Sequence, residues 1–264
     1  MGINAQTSVP KFTSGDVLTA ANTNLLTNAP PVFSGTATRD AAFGGAGEKT
    51  LAEGQLCYLE DSDVVQFYSG SSWNTVGASG LVPIVPTSVA VGGGSATFNS
   101  VTGKITATAA TTNLSINGLF TSTYQNYLIQ VMLTGMPTDV NMRLRVAGVD
   151  NSASVYSNVL AKAESGTGTL SVTVANETTA SFVSVARTSA TSYMSFSNIQ
   201  LSNPFSSSFQ TAAIIDLIQL GNSQPIATRW FGGGNLNVTT SYDGFSLLIA
   251  SGSFTGNVQV FGYV

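Results

Sequence analysis

Few residues of this 264-residue chain have side chains that could perform chemistry. The chain has no histidine, which excludes catalysis by an imidazole and histidine-ligated metal sites. Its single cysteine, Cys57, lies between Leu56 and Tyr58 in an apolar run, which predicts a small buried core side chain, with a reactive nucleophile as the alternative. A lone thiol forms no intrachain disulfide and suits synthesis in a reducing cytoplasm.

Paired carboxylates can cleave a glycosidic bond without any histidine. The closest acids are Glu60, Asp61 and Asp63, in a short segment between apolar runs where a surface turn is the ordinary expectation. The Asp61-Ser62-Asp63 spacing resembles part of a calcium loop, but the glycine and final glutamate of the complete loop are missing. We therefore predict no catalytic residues, no metal and no cofactor, and keep a polysaccharide hydrolase as an alternative.

Two glycine triplets, at 92–94 and 232–234, invite comparison with phosphate-binding loops. Neither is followed by Lys-Ser/Thr and neither opens a helix, so they predict turns or points of close backbone approach.

Aromatic residues in a chain rich in Asn and Gln suggest a second kind of site. Rings stack on sugars and amides bond to hydroxyls, so Trp230 and Tyr242 form a candidate glycan platform, with core packing as the alternative. Arg143 and Arg145 share one face of a predicted strand. They indicate either a solvated face or ion pairs across a subunit boundary.

Charge is scarce in this sequence, at 8% of residues with a formal net charge of −4. No basic cluster is available to neutralise phosphates, so we predict no nucleic-acid partner. No apolar run approaches the roughly 18 residues of a membrane helix, so we predict no membrane insertion. Charged residues are depleted from the centres of protein interfaces, so a surface of Ser, Thr, Asn, Gln and Gly predicts an oligomer.

The first 33 residues read as an N-terminal arm. Leu18, Ala21, Leu25 and Leu26 have the spacing of a short amphipathic helix over 17–27, and Pro30-Pro31 ends it. A helix this short is unstable alone, so its apolar stripe must pack on its own domain or on another protein.

Residues 34–78 predict a small β module. Three apolar runs, Leu56–Leu59, Val64–Tyr68 and Trp73–Val76, are separated by turn residues and form a meander. Residues 79–97, rich in Pro and Gly, read as a linker or a crossing strand.

Residues 98–264 predict strands throughout. Tyr127–Leu133 is apolar on both faces, as in a strand between two layers, whereas Asn141–Val146 alternates, as in a strand with one wet face. Further candidate strands are Leu170–Val174, Ala180–Val185, Tyr193–Leu201, Ala212–Ile218, Ile226–Trp230, Leu236–Thr240, Phe245–Ala250 and Val258–Tyr263. The predicted fold is all-β, with a C-terminal antiparallel β-sandwich of jelly-roll type.

Several stretches of the chain resemble the structural proteins of tailed-bacteriophage virions, namely fibres, minor tail proteins and head-attached fibres. The N-terminal stretches are Phe12–Asn24, Arg39–Phe43, Gly54–Asp61 and Gln66–Trp73. The closing stretches Tyr242–Phe245 and Gly252–Tyr263 are similar to the final strands of the β domains that end such proteins. The resemblance covers about the first 76 residues and, more loosely, the last 23, while the middle of the chain matches no motif.

The resemblance implies a non-enzymatic homotrimer on the virion surface, made in the host bacterial cytoplasm. Its arm would attach to capsid or tail proteins through Phe12, Val17, Leu18, Leu25 and Leu26, and its β domain would point outward for host adhesion or particle decoration. A long shaft and the repeated coils of a depolymerase are missing, so a short fibre or a decoration protein is expected. A host cell-surface glycan is a further expected partner, and a carbohydrate-binding module without virion attachment is the alternative.

Overall fold

The computed structural model describes residues 7, 9, 11, 13–17, 19–20, 30–46, 48–77, 80–164, 168, 170–187, 189–220 and 227–263. The chain divides into two compact units, Met1–Ser79 and Gly80–Val264. Strands dominate both, and most of their pairings are antiparallel, so the predicted all-β class is confirmed.

The first unit contains one small sheet and a short helix. Its strands are β1 (Val32–Phe33), β2 (Leu56–Leu59), β3 (Val64–Tyr68) and β4 (Trp73–Thr75), and its helix α1 spans Thr36–Ala41. Strands β2, β3 and β4 form the predicted antiparallel meander, and β1 joins β2 in parallel. Helix α1 was not predicted, because six residues are too few to show a helical period.

The core of the first unit is small. Phe33, Ala42, Cys57 and Leu59 are buried together, which places Cys57 in the core as predicted. Arg39 of α1 is also buried; its guanidinium donates to Gln66, pairs with Asp40 and lies 4.9 Å from the centre of the Trp73 ring. Arg39 is thus buried beside this small apolar core, with its charge paired and its guanidinium against an aromatic ring.

The second unit consists of strands joined by short connections. The strands are β5 (Leu81–Pro83), β6 (Ser88–Gly92), β7 (Ala96–Phe98), β8 (Ile105–Thr111), β9 (Asn113–Asn117), β10 (Asn126–Met136), β11 (Val140–Val146), β12 (Val149–Asp150), β13 (Tyr156–Glu164), β14 (Leu170–Thr179), β15 (Phe182–Ala186), β16 (Ser189–Ser202), β17 (Ala212–Leu220), β18 (Ala227–Leu236), β19 (Gly244–Ile249) and β20 (Phe254–Tyr263).

These strands form two sheets. The ten-stranded sheet has the order β14-β13-β18-β17-β16-β10-β20-β8-β7, with β5 also paired to β20. The six-stranded sheet has the order β12-β11-β19-β9-β6, with β15 also paired to β11. Residues 79–97, expected as a linker or crossing strand, supply β5 to the larger sheet and β6 to the smaller one, so the described part of this segment crosses between the two sheets.

Both sheets contribute to a single hydrophobic core. From the larger sheet it includes Tyr127, Ile129 and Val131 of β10, and from the smaller one Leu144 of β11 and Phe245 of β19. Strand β10 also buries Leu128 on its opposite side, but Gln130 and Met132 on that side are only half-buried, so the described residues do not place β10 between two layers as predicted. These alternating apolar positions are the reason the two sheets hold together.

A tyrosine joins the two sheets by hydrogen bonds. Tyr156 of β13 is fully buried; its hydroxyl accepts a hydrogen bond from the Leu144 amide of β11 at 3.0 Å and donates to the Asn151 carbonyl at 3.0 Å. Its ring packs edge-on against Phe182 of β15, at 5.1 Å between ring centres. The side chain therefore fixes strands of the two sheets to each other.

The two glycine triplets differ in structure. Gly93 and Gly94 have positive φ angles and turn the chain between β6 and β7. The 232–234 triplet lies inside β18, where a β-carbon on Gly234 would stand 1.8 Å from the Ser157 carbonyl oxygen, so this triplet is a close approach. Strand β18 runs through it to Leu236, and the predicted strand Leu236–Thr240 is therefore wrong.

Candidate interaction surface

The acids proposed as a catalytic or calcium pair form a surface turn between β2 and β3. Asp63 has a φ of 53° and accepts a hydrogen bond from the Tyr58 hydroxyl at 2.6 Å, which raises the pKa of Tyr58. Asp61 accepts one from Ser62. Within the residues that the structure describes, no group of three His, Cys, Asp or Glu side chains could hold a metal ion. Burial raises the pKa of the Cys57 thiol, which disfavours a reactive thiolate.

The arm residues proposed as a virion anchor are described only in part. Val17 is exposed, whereas Phe12, Leu18, Leu25 and Leu26 lie outside the described residues, as does most of the helix expected over 17–27. Just before Val17, the Thr13 amide and hydroxyl donate to the Asp16 carboxylate at 2.6 and 3.0 Å. Both hydrogen bonds lower the pKa of Asp16, and the one from the Thr13 amide contributes most. Val17 follows this turn and is 82% exposed.

Neither ring of the proposed glycan platform is accessible. Tyr242 is fully buried, and its hydroxyl accepts a hydrogen bond from Asn151 at 2.6 Å. Trp230 is 4% exposed; its indole N–H donates to Gln219 at 3.2 Å, and the Arg187 guanidinium lies 3.8 Å from the ring centre. The expectation of a platform at these two residues is corrected, because a sugar cannot stack on a ring that is already covered.

The arginine that covers Trp230 is itself fixed in place. Arg187 pairs with Asp139 at 2.7 Å and donates to the Ser184 hydroxyl at 2.8 Å. Desolvation by burial lowers the pKa of Arg187, and the nearby Asp139 charge partly opposes this. Arg187 and Trp230 are thus held by contacts within the chain, and the Arg187 guanidinium already has a carboxylate partner.

Strand β11 does not have the wet face that its alternating pattern predicted. Arg145 is buried, and its guanidinium pairs with Asp150 and donates to Ser115, Ser246, Asn117 and the Gly148 carbonyl. Arg143 is half-buried and donates to the Ala180 carbonyl at 2.9 Å. The expectations of a solvated face and of ion pairs across a subunit boundary are both corrected for Arg145, because its partner carboxylate lies in the same chain.

The ten-stranded sheet has an apolar and exposed region on the part of its outer face formed by β14, β13, β18, β17 and β16. Across β10, β20 and β8 the outward side chains are mostly polar, with Gln130 bonded to Asn198 and Thr106 to Asn257. We call the apolar region the apolar outer face and define it by eight exposed side chains on five strands: Val159, Leu170, Val172, Met194, Ile214, Ile218, Leu220 and Phe231. Together they expose on the order of 700 Å², above the ~300–600 Å² of the largest apolar patch on a typical monomer.

The strand register places these side chains on one side of the sheet. Ala161 stands opposite both Val172 and Phe231, and Gly233 stands opposite both Val159 and Ile214. Opposed residues in antiparallel strands point to the same face, so the apolar side chains form contiguous rows. Neighbouring positions such as Leu160 and Ile215 point to the core instead.

One ion pair lies among the described side chains of the apolar outer face. Arg229 donates to Asp216 through two hydrogen bonds of 2.8 and 2.7 Å, and the Asp216 partner raises the pKa of Arg229. The guanidinium carbon lies 5.8 Å from the centre of the Phe231 ring. The pair is neutral as a unit, so it offers no net charge to a nucleic acid or an anionic membrane.

Sequence reasoning missed the apolar outer face, although a signal was present. The run Ala212–Ile218 has apolar side chains on both of its faces, which a strand with one wet face does not need. Its odd positions enter the core, and Ile214 and Ile218 stay exposed. Apolarity on both faces therefore indicated a second covered surface, but not which strands share it.

Comparisons with family models, curated proteins and solved structures gave no match to this chain. In the described part of the chain, no helix is long and apolar enough to cross a membrane. The class that fold and surface define is therefore an all-β protein with one large exposed apolar sheet face.

Proposed function

We propose that the chain is a non-enzymatic structural protein of a tailed-bacteriophage particle, a homotrimeric short fibre or decoration protein. In this proposal residues 1–33 attach to capsid or tail proteins, and the second unit, a jelly-roll-like β-sandwich of the two sheets, is displayed for host adhesion or particle decoration. The N-terminal stretches quoted above support the phage assignment. The apolar outer face carries the assembly part of the proposal.

The occupant that we assign to the apolar outer face is another copy of this chain. Its exposed area of about 700 Å² is close to the ~800 Å² that each partner contributes to a typical stable interface. Among its described side chains the face holds one cation and one anion that already neutralise each other, so it complements a copy of itself rather than a charged partner. Three such faces around a threefold axis would enclose an apolar interior.

Light scattering on a size-exclusion column tests this assignment with the full chain. We expect a mass near three times 27.2 kDa for the natural sequence. Val172→Lys and Ile214→Lys should shift it towards a single chain, because each places an unpaired charge in the contact. The matched control is Val149→Lys: Val149 is 69% exposed and Val172 68%, but Val149 lies on β12 of the other sheet.

The outcomes separate the alternatives. A trimer that persists in both lysine variants overturns the apolar outer face as the contact. A natural chain that runs as a monomer overturns the homotrimer and favours the carbohydrate-binding module. For the virion role, deletion of residues 1–33 should abolish incorporation into particles while leaving the β-sheet circular dichroism of the rest unchanged; normal incorporation would contradict the anchor.

A further inference from the structure

One end of the ten-stranded sheet carries a cavity that no assignment above uses. It lies just before β10 begins and just after β16 ends, and its volume is about 270 Å³. The segments that line it are 121–125 and 203–209. The cavity therefore joins two parts of the chain that the pairing of β10 with β16 brings together.

The chemistry of this cavity combines aromatic rings with amides. The rings are Tyr124, Phe205 and Phe209, and the amides are Gln125 and Asn203. We call it the ring–amide cleft. Phe209 is 65% exposed and Phe205 40%, so these rings do not serve the core. None of the residues that line the cavity is acidic or basic.

The ring–amide cleft is held in shape by contacts within the chain. The Tyr124 ring lies directly over Gly262 of β20, where a β-carbon would stand 2.5 Å from a ring carbon. Gln125 and Asn203 are joined twice: the Asn203 amide donates to the Gln125 carbonyl at 2.8 Å, and the Gln125 side chain donates to Asn203 at 2.9 Å. One ring and two amides are therefore positioned before any ligand arrives.

The loop that presents the two phenylalanines is also ordered. The Ser206 hydroxyl accepts hydrogen bonds from the amides of Ser208 and Phe209, at 3.1 and 3.0 Å. The Phe205 carbonyl accepts one from Ser241 at 3.0 Å. Exposed rings on a fixed loop lose little conformational entropy when a ligand stacks on them.

We propose that the ring–amide cleft binds a neutral saccharide. Rings supply flat apolar faces for the C–H side of a sugar, and amides supply both donors and acceptors for its hydroxyls. The lack of lining charge disfavours phosphate, nucleic acid and acidic sugars, which require cations. The volume of about 270 Å³ falls below the ~300–1,000 Å³ of pockets that enclose a whole drug-sized ligand, so the cleft takes one or two units of a longer chain.

This inference rests on the adhesion role in the proposed function and gives it a location. The test applies the full chain to an array of neutral and acidic oligosaccharides and then titrates the best neutral binder by calorimetry. We expect binding to a neutral glycan that weakens at least tenfold in Phe209→Ala, Phe205→Ala and Gln125→Ala. The matched control is Phe98→Ala. Phe98 lies on β7, outside the cleft, and is 37% exposed, against 40% for Phe205.

Two measurements on each sample keep the outcomes distinct. Circular dichroism shows that a variant is folded, and light scattering shows whether it is still a trimer. Binding that survives all three cleft substitutions, binding only to acidic glycans, or no binding at millimolar glycan overturns the inference. If the trimer persists in that case, the assembly proposal stands; a monomer that binds the neutral glycan would support the cleft and overturn the trimer.

Discussion

The outer face of the six-stranded sheet and the apolar outer face on one side of the ten-stranded sheet have opposite characters. On the six-stranded sheet, the outward side chains of β11, β19 and β9 are mostly polar and bond to one another: Ser246 stands opposite both Arg143 and Ser115. On the ten-stranded sheet, the outward side chains include the eight that form the apolar outer face. The first face is satisfied within one chain, and the second remains uncovered.

This difference between the two faces indicates which of them needs a partner. The buried Arg145 guanidinium has five acceptors around it, so it needs no group from another molecule. Rows of isoleucine, valine and phenylalanine gain nothing from water and are stabilised only when something covers them. A low charge content thus has two meanings in one unit: internal hydrogen bonding on one face, and an interface on the other.

The largest expected effect comes from removing the centre of the polar face. Arg145→Ala should lower the free energy of unfolding by about 3–5 kcal/mol, because it leaves Asp150 and two serine hydroxyls without their shared donor. Urea denaturation followed by Trp230 fluorescence, in a Trp73→Phe background, reports on the second unit of the full chain.

Arg143→Ala is the matched control for this prediction, since Arg143 lies two residues earlier on the same face. It gives up one hydrogen bond, to the Ala180 carbonyl, and should cost about 0.5–1.5 kcal/mol. Equal losses in the two variants would contradict the claim that Arg145 completes the polar face, and the comparison between the two faces would weaken with it.

Local patterns predicted most of the strands. The meander at Leu56–Leu59, Val64–Tyr68 and Trp73–Thr75 was predictable because turn residues separate apolar runs. So were β10 and β17, whose apolar runs are long. Helix α1 was missed because it is too short to show a period. The extent of β18 was missed because the sequence predicts separate strands on either side of Gly232–Gly234, whereas the strand runs through this close approach.

Which side chains meet in space could not be predicted in the same way. Arg145 looked solvated because strand alternation reveals the face of a residue but not what covers that face. Trp230 and Tyr242 looked like a platform because a ring in the core and a ring at the surface have the same local sequence. The ring–amide cleft joins Gln125 to Asn203 across 78 positions, a pairing that depends on the strand register.

The next effect in size concerns Tyr156, which links the sheets that carry the two faces. Burial raises the pKa of Tyr156 well above its ordinary value of about 10. Below pH ~10 the hydroxyl is neutral in both states and contributes fully to stability. Above it the unfolded chain ionises while the folded one does not, so this contribution falls by up to about 1.4 kcal/mol for each pH unit.

Comparison with Tyr156→Phe isolates that effect from other alkaline titrations. The variant should be less stable at pH 8, because the Leu144 amide loses its acceptor. The gap between natural chain and variant should then narrow as the pH rises from 10 to 11. A gap that stays constant would mean that Tyr156 ionises freely in the folded protein and does not hold the sheets together.

The smallest effect is the most selective test of the apolar outer face. Val159→Thr keeps the branched shape that suits a strand and replaces one exposed methyl group by a hydroxyl. In water this exchange should leave the free energy of unfolding within about 0.5 kcal/mol. Beneath another copy the hydroxyl is buried without a partner, which should cost about 1 kcal/mol, or roughly fivefold in self-association.

Dilution in sedimentation experiments measures the association, and urea denaturation measures the fold, on the same Val159→Thr sample. A change in self-association without a change in the free energy of unfolding is expected only if this face is covered in the oligomer. An unchanged association constant would mean that Val159 faces solvent in the oligomer, and the contact would then have to exclude the Gly233 row, which also contains Ile214. If Ile214→Lys also left self-association unchanged, the apolar outer face would not be the self-contact. The polar and apolar faces would then differ in composition alone.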